Sequence, residues 1–162
     1  VLGARGEGEV GKTGVLVVGF GNDLVGDDGC GLAVARRLRG PGAPRVEEGH
    51  SDSLRLPSLW AGEGEIWLVD ALVRGAPPGT IHRLSHEELM SIPQRHATAH
   101  QLSLPESLRW IAHSYPEMAG VRYRMWGIEP ASLTLGEGLS PAVEAAVESV
   151  GAEILREAGD RP

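Results

Sequence analysis

Short apolar runs recur along this chain, each broken by glycine or proline and followed by a stretch of helical period. Val15–Phe20 is such a run. It is β-branched and does not alternate, the pattern of a strand covered on both faces. A glycine-rich turn follows, and Gly29–Arg39 then reads as a helix. Gly40-Pro-Gly-Ala-Pro44 is a breaker cluster. A short second strand is expected around Arg45–Glu48, and a weak helix over Ser51–Trp60 with Pro57 at a turn or kink. Glu65–Asp70 is a third apolar run, closing on a carboxylate. Pro77-Pro78-Gly79 turns the chain into a fourth strand, Thr80–Leu84, and Ser85 to Ile92 is helical. Ser103 with Glu106 makes a capping box for a helix to about Ser114. Val121–Ile128 is a fifth strand. Ser140 as N-cap and Pro141 at the first helical position open a last helix ending near Gly159.

Strands that alternate with helices predict a single three-layer α/β/α domain over 15–159. The connection through Pro77-Pro78-Gly79 is too short for a parallel crossover. One antiparallel pair is therefore expected in a mixed, mostly parallel sheet of about five strands. Residues 1–14 are glycine-rich, charged and without period, and are expected to be a flexible tail.

The first strand's turn carries the densest chemistry. Gly19 and Gly21 permit close backbone approach, and Asp27 and Asp28 follow at the mouth of the sheet, where open α/β folds place their ligands. Two adjacent carboxylates suit a cation better than a phosphate. The dinucleotide fingerprint fails because Leu24 stands where its third glycine belongs. Gly11-Lys12-Thr13 ends like a phosphate loop but precedes the strand. The bland reading, acids that cap a helix, has equal standing on this segment alone.

The stretch Gly19-Phe-Gly-Asn22 with Asp27-Asp28-Gly-x-Gly31 resembles the opening motif of the hydrogenase maturation endopeptidases. Leu68-Val-Asp70-Ala71 with Gly75-Ala-Pro-Pro-Gly-Thr80 resembles that family's second block, and His100-Gln-Leu-Ser-Leu its third. Gly127-Ile-Glu-Pro-Ala-Ser-Leu133 with Gly138-Leu-Ser-Pro141-Ala-Val143 resembles its C-terminal block. Each block is moderately specific. Their common order, from about Val15 to Leu155, is the stronger signal.

The resemblance implies a peptide-bond hydrolase of the aspartyl type. Its partner would be the immature large subunit of a nickel-iron hydrogenase, and it would remove that subunit's C-terminal extension. Asp28, Asp70 and His100 would be the catalytic and metal-contacting residues. Nickel would come with the substrate, and another divalent metal would be possible in isolation. Alternatives on the same motifs are a nickel checkpoint that does not cut, and a small-substrate metal-dependent amidohydrolase. One departure stands out. After the second strand the family usually has Asp-Gly-Gly-Thr, whereas this chain has Glu48-Gly49-His50-Ser51. The change puts an imidazole near the expected site.

Composition narrows the picture further. A formal charge of −7 argues against a nucleic-acid surface. No apolar stretch approaches twenty residues, and no charged-then-apolar leader is seen, so a cytoplasmic monomer is expected. The lone Cys30 fits a reducing compartment. Its helix-start position would lower its pKa, although a lone cysteine is usually a small buried hydrophobe. His96 and His100 are four apart, but Ala97 replaces the glutamate of a zinc-peptidase helix. His82, His86 and His113 are read as surface groups.

Overall fold

The computed structural model describes residues 14–93 and 103–162. Residues 1–13 of the expected tail, which include Gly11-Lys12-Thr13, and His96 and His100 lie outside the described residues. Five strands form one sheet: β1 (Val15–Phe20), β2 (Arg45–His50), β3 (Glu65–Ala71), β4 (Ile81–Leu84) and β5 (Arg122–Ile128). Their order is β2-β1-β3-β5-β4. The first four in that order run parallel, and β4 is antiparallel to β5. Helices α1 (Cys30–Arg37), α2 (Leu56–Leu59), α3 (His86–Ser91), α4 (Leu104–Ser114) and α5 (Pro141–Gly159) cover the faces.

Alternation along the strands divides the core in two. Val15 and Val17 of β1, Trp67 and Val69 of β3, and Trp126 and Ile128 of β5 pack beneath α1 and α5. Leu16, Val18 and Phe20, Ile66 and Leu68, and Tyr123 and Met125 pack on the opposite face with Leu56, Leu89, Leu108 and Ile111. Leu16, Val17 and Val18 are fully buried, which explains why β1 reads as a continuous apolar run. Each such side chain stabilises the fold by about 1.5–3 kcal/mol through burial. The three-layer α/β/α domain with a mixed sheet is therefore the observed architecture.

Three local expectations are corrected. The first helix begins at Cys30, because Gly26–Gly29 forms a 3₁₀ turn ahead of it. The stretch over 51–60 is not one helix. Asp52 accepts the Leu54 N–H at 3.0 Å to open a 3₁₀ turn, Ser53–Arg55, and Pro57 then stands in the first turn of α2. Ser140 is the residue before α5, but its side chain does not cap that helix.

The antiparallel pair is β4 with β5, and β5 separates β4 from β3. The connection after β3 passes over the C-terminal end of β5. Leu72 N–H donates to Ile128 O at 2.9 Å, and Gly79 N–H to Glu129 O at 2.8 Å. Gly127 makes the crossing possible, since a Cβ there would lie 2.7 Å from Leu72. Nine residues span the roughly 10 Å of two strand spacings with room for a turn. Among the described residues, no helix is long and apolar enough to cross a membrane.

Candidate active site at the strand ends

The site is built by glycines that let backbones touch. A Cβ on Gly31 would lie 2.2 Å from Phe20 O and 2.4 Å from Val69 O. A Cβ on Gly19 would lie 2.1 Å from Gly31 O. Only glycine allows the start of α1 to press on the ends of β1 and β3 in this way. Gly21 has φ +130°, and its missing side chain leaves space for Asp28 O. The outcome is that Asp28, from the turn after β1, and Asp70, from the end of β3, line one cleft of about 580 Å³.

Asp28 is partly exposed, and its Oδ2 accepts the Asn22 N–H at 2.9 Å. Asn22 in turn accepts the Leu24 N–H through Oδ1 at 2.9 Å, which rigidifies the loop carrying it. Asp70 accepts the Ala71 N–H at 2.8 Å and keeps part of its surface on the cleft. Burial pushes the Asp70 carboxyl up to about 7, and the nearby Asp28 charge pushes the same way against the Ala71 hydrogen bond. A carboxyl held near neutrality is suited to accept a proton from water.

Two oxygen donors of this kind fit a divalent ion that arrives with other ligands of its own. Among the described residues, no three His, Cys, Asp or Glu side chains are grouped to hold an ion. The structure thus brings two of the expected three residues together, and the third, His100, lies outside the described residues. His50 also lines the cleft, yet it does not complete a ligand set with Asp28 and Asp70.

His50 has φ +53°, the left-handed region that glycine occupies freely. Among the described residues it is the one non-glycine there. Its carbonyl accepts the Gly21 N–H at 2.7 Å, and Gly49 is pressed against the Phe20 ring, so the backbone is pinned. The sequence departure therefore places a histidine where the fold wants glycine, at the rim of the cleft.

Asp27 does a different job from its neighbour. It is 1% exposed and accepts four hydrogen bonds. Oδ2 takes Ala131 N–H at 2.8 Å, Ser132 N–H at 3.1 Å and the Ser140 hydroxyl at 2.9 Å, and Oδ1 takes Ser140 N–H at 2.7 Å. Burial alone would raise its pKa, but the N–H donors of Ser140, Ala131 and Ser132 outweigh it and hold the carboxyl below the ordinary range. Asp27 is thus a brace between the first turn and the loop before α5. It also explains the Ser140 hydroxyl, which serves Asp27 instead of its own helix.

Glu129 braces the neighbouring loop. It is buried and accepts Arg74 N–H at 2.9 Å and 3.0 Å, Gly75 N–H at 3.0 Å, and pairs with His82 Nε2 at 2.8 Å. His82 is therefore a partly buried partner and not a surface group. His86 is corrected in the same way. Its Nδ1 accepts the Tyr123 N–H at 3.1 Å, and the rings stack with centroids 5.9 Å apart. Burial lowers its pKa, with the Arg122 charge acting the same way against Glu87. His113 is exposed as expected. Cys30 is the buried small hydrophobe that a lone cysteine usually is, and the helix-start lowering of its pKa is overridden. The thiol is buried, and burial together with Asp70, Asp28 and Asp27 raises its pKa, so it is an unreactive core group.

Sequence reading missed Asp27 and Glu129 as braces. The signal available was slight: a doublet of acids, and a carboxylate between a buried strand and Pro130. Nothing local says which acid of the doublet turns inward.

Comparison with known proteins agrees with this fold. A family model described as hydrogenase maturation protease matches residues 46–157. The chain is similar to a protein of Methanocaldococcus jannaschii described as a candidate hydrogenase maturation protease, 31% identical and covering 90% of this chain and 99% of that one. It is also similar to the hydrogenase 2 maturation protease of Escherichia coli, at 28% identity over 90% of this chain and 92% of the relative. Among solved structures, the [NiFe] hydrogenase maturation protease HybD from Thermococcus kodakarensis superposes with a TM-score of 0.76 at 28% identity, covering 90% and 99% of the two chains. The Escherichia coli endopeptidase HybD does so with a TM-score of 0.73 at 27% identity, covering 91% and 94%. With that model spanning most of the chain and the relatives aligned nearly end to end, this chain belongs to the hydrogenase maturation protease family.

Proposed function

We propose that this protein removes the C-terminal extension of an immature nickel-iron hydrogenase large subunit, and that the nickel already in that subunit directs the cut. The observation that supports the reading best is the pairing of Asp28 and Asp70 at one open cleft, with Asp70 held near neutrality. The family membership supplies the peptidase chemistry. Asp28, Asp70 and His100 would contact the substrate's nickel. Bound there, the metal supplies Lewis-acid polarisation and fixes position. Asp70 would accept the proton of the attacking water as oxygen bonds to the scissile carbonyl carbon. Asp70 would then give that proton to the leaving amine as the C–N bond breaks. The protein would act in the cytoplasm as a monomer.

The test compares nickel-loaded and nickel-free precursor at equal protein concentration, with intact mass as readout. Loss of the extension from the loaded precursor alone is expected. Equal rates on both would remove nickel from recognition. Binding without mass loss would make the protein a checkpoint, and cleavage of a short peptide without the folded partner would make it an amidohydrolase.

His50 enters the same reading as a substrate contact at the cleft rim. His50→Gly restores the backbone freedom that φ +53° demands and is expected to raise stability by about 0.5–1 kcal/mol. Processing of the native precursor should fall despite that gain. Indistinguishable processing rates for wild type and His50→Gly would make His50 a bystander.

A further inference from the structure

Seven large apolar side chains stand exposed among the described residues, and they are not scattered evenly. Leu24, Leu54, Val73, Leu133 and Leu135 all sit in loops that leave the C-terminal ends of the parallel strands. That is the end at which Asp28 and Asp70 meet. Trp110 and Leu155 are the exceptions, and both lie on helices. Leu135 is 76% exposed, Val73 67% and Leu24 65%. Single exposed leucines are ordinary, but five of the seven side chains at the end of the sheet that carries the cleft mark an interaction surface.

These side chains are also held in place. Val25 and Leu135 form an antiparallel bridge, and Gly136 N–H donates to Leu24 O at 2.8 Å. The buried carboxylate of Asp27 grips the loop just before Leu133, at Ala131 and Ser132. Glu129 grips the loop just after Val73, at Arg74 and Gly75. The fold thus uses two buried acids to fix loops whose tips present apolar groups to water. A surface fixed before binding loses little entropy when a partner covers it. The rim is continuous with the cleft, since Val25 and Leu54 line the cleft wall beside Asp28.

We infer that this apolar rim, with Leu24, Leu133 and Leu135 at its centre, is the docking surface for the folded body of the precursor around its cleavable segment. The inference rests on the proposed processing reaction. It adds that the partner presents a complementary apolar surface, so that recognition reads a folded protein and not only a metal and a peptide.

The experiment measures processing of nickel-loaded precursor by wild type, by Leu24→Asp/Leu135→Asp, and by Leu155→Asp as a control. Leu155 lies near the end of α5, and Arg161, two residues past that helix, pairs with Glu65 at the start of β3, so Leu155 is at the far end of the sheet. The double variant is expected to raise KM about tenfold, with kcat within about twofold of wild type. Leu155→Asp should match wild type. Circular dichroism confirms folding, and Leu135→Ser alone serves if the double variant does not fold. A double variant indistinguishable from Leu155→Asp would overturn the docking surface while leaving the reaction standing. Absence of cleavage by wild type would instead overturn the reaction and, with it, this inference. Sedimentation of the enzyme alone supplies a further outcome: a dimer abolished by the double variant would assign the rim to a second copy and overturn the proposal.

Discussion

Asp70→Asn is expected to abolish precursor processing while making the protein more stable. The physical reason is the burial that holds the Asp70 carboxyl near 7 in the folded protein, against about 3.8 when unfolded. Below pH 4 both states hold the proton, and the carboxyl imposes no penalty. As pH rises toward 7 the unfolded chain releases its proton and the folded one keeps it, so stability falls across that window. Above 7 the loss is constant, on the order of 2–4 kcal/mol. Asparagine preserves the acceptor for Ala71 N–H and deletes the titration. The variant should therefore melt higher than wild type at pH 7.5, and its margin over wild type should shrink as pH falls from 7 to 4. Asp28→Asn and His100→Ala should also lose processing. Near-normal cleavage by any two of the three variants would refute the assigned set. A variant Asp70→Asn that lost activity and stability together would show that the carboxyl is a structural group.

The opposite outcome is expected one residue from Asp28. Asp27→Ala should destabilise the fold by about 3–4 kcal/mol, because it leaves three backbone N–H groups and a hydroxyl without their buried acceptor. Asp27→Asn should do little better, since its amide turns donors toward donors. The Asp27 carboxyl sits below the ordinary range, so its contribution is present above the unfolded pKa and is lost as pH falls through the folded value. Urea unfolding at pH 7 and at pH 3 measures both effects. The difference between wild type and Asp27→Ala should shrink at the lower pH. Equal stability of the two proteins at pH 7 would remove Asp27 as a brace. The two adjacent acids should then prove separable: loss of Asp28 is expected to remove processing, and loss of Asp27 to loosen the loop that borders the cleft.

The elements were largely legible in the chain because burial and local backbone preference agree. Val15 to Val18 is apolar without alternation because both sheet faces are covered, and Gly19 and Gly31 allow the start of the following helix to touch the strands. Pro141 after Ser140 marks the start of α5 at its first residue. The split of residues 51–60 was not legible, since Asp52 and Pro57 both favour a helix start and only packing decides that each begins a separate piece.

What the sequence by itself determined is therefore the set of elements, the layered class, and the resemblance that singled out Asp28 and Asp70. Those features depend on short-range patterns and on residue types at fixed spacings. Tertiary structure alone decided which acid of the Asp27-Asp28 doublet faces the cleft. It also decided that Glu129 and His82 are internal partners, and that Cys30 is inert. The first two depend on residues about 50 to 110 positions away that the fold brings within 3 Å, and the last on burial beneath the helix and the nearby carboxylates. The place of β4 beyond β5 was decided in the same way. A short connection says only that the chain turns back, whereas the bare backbone of Gly127 and the grip of Glu129 determine which strand it passes over.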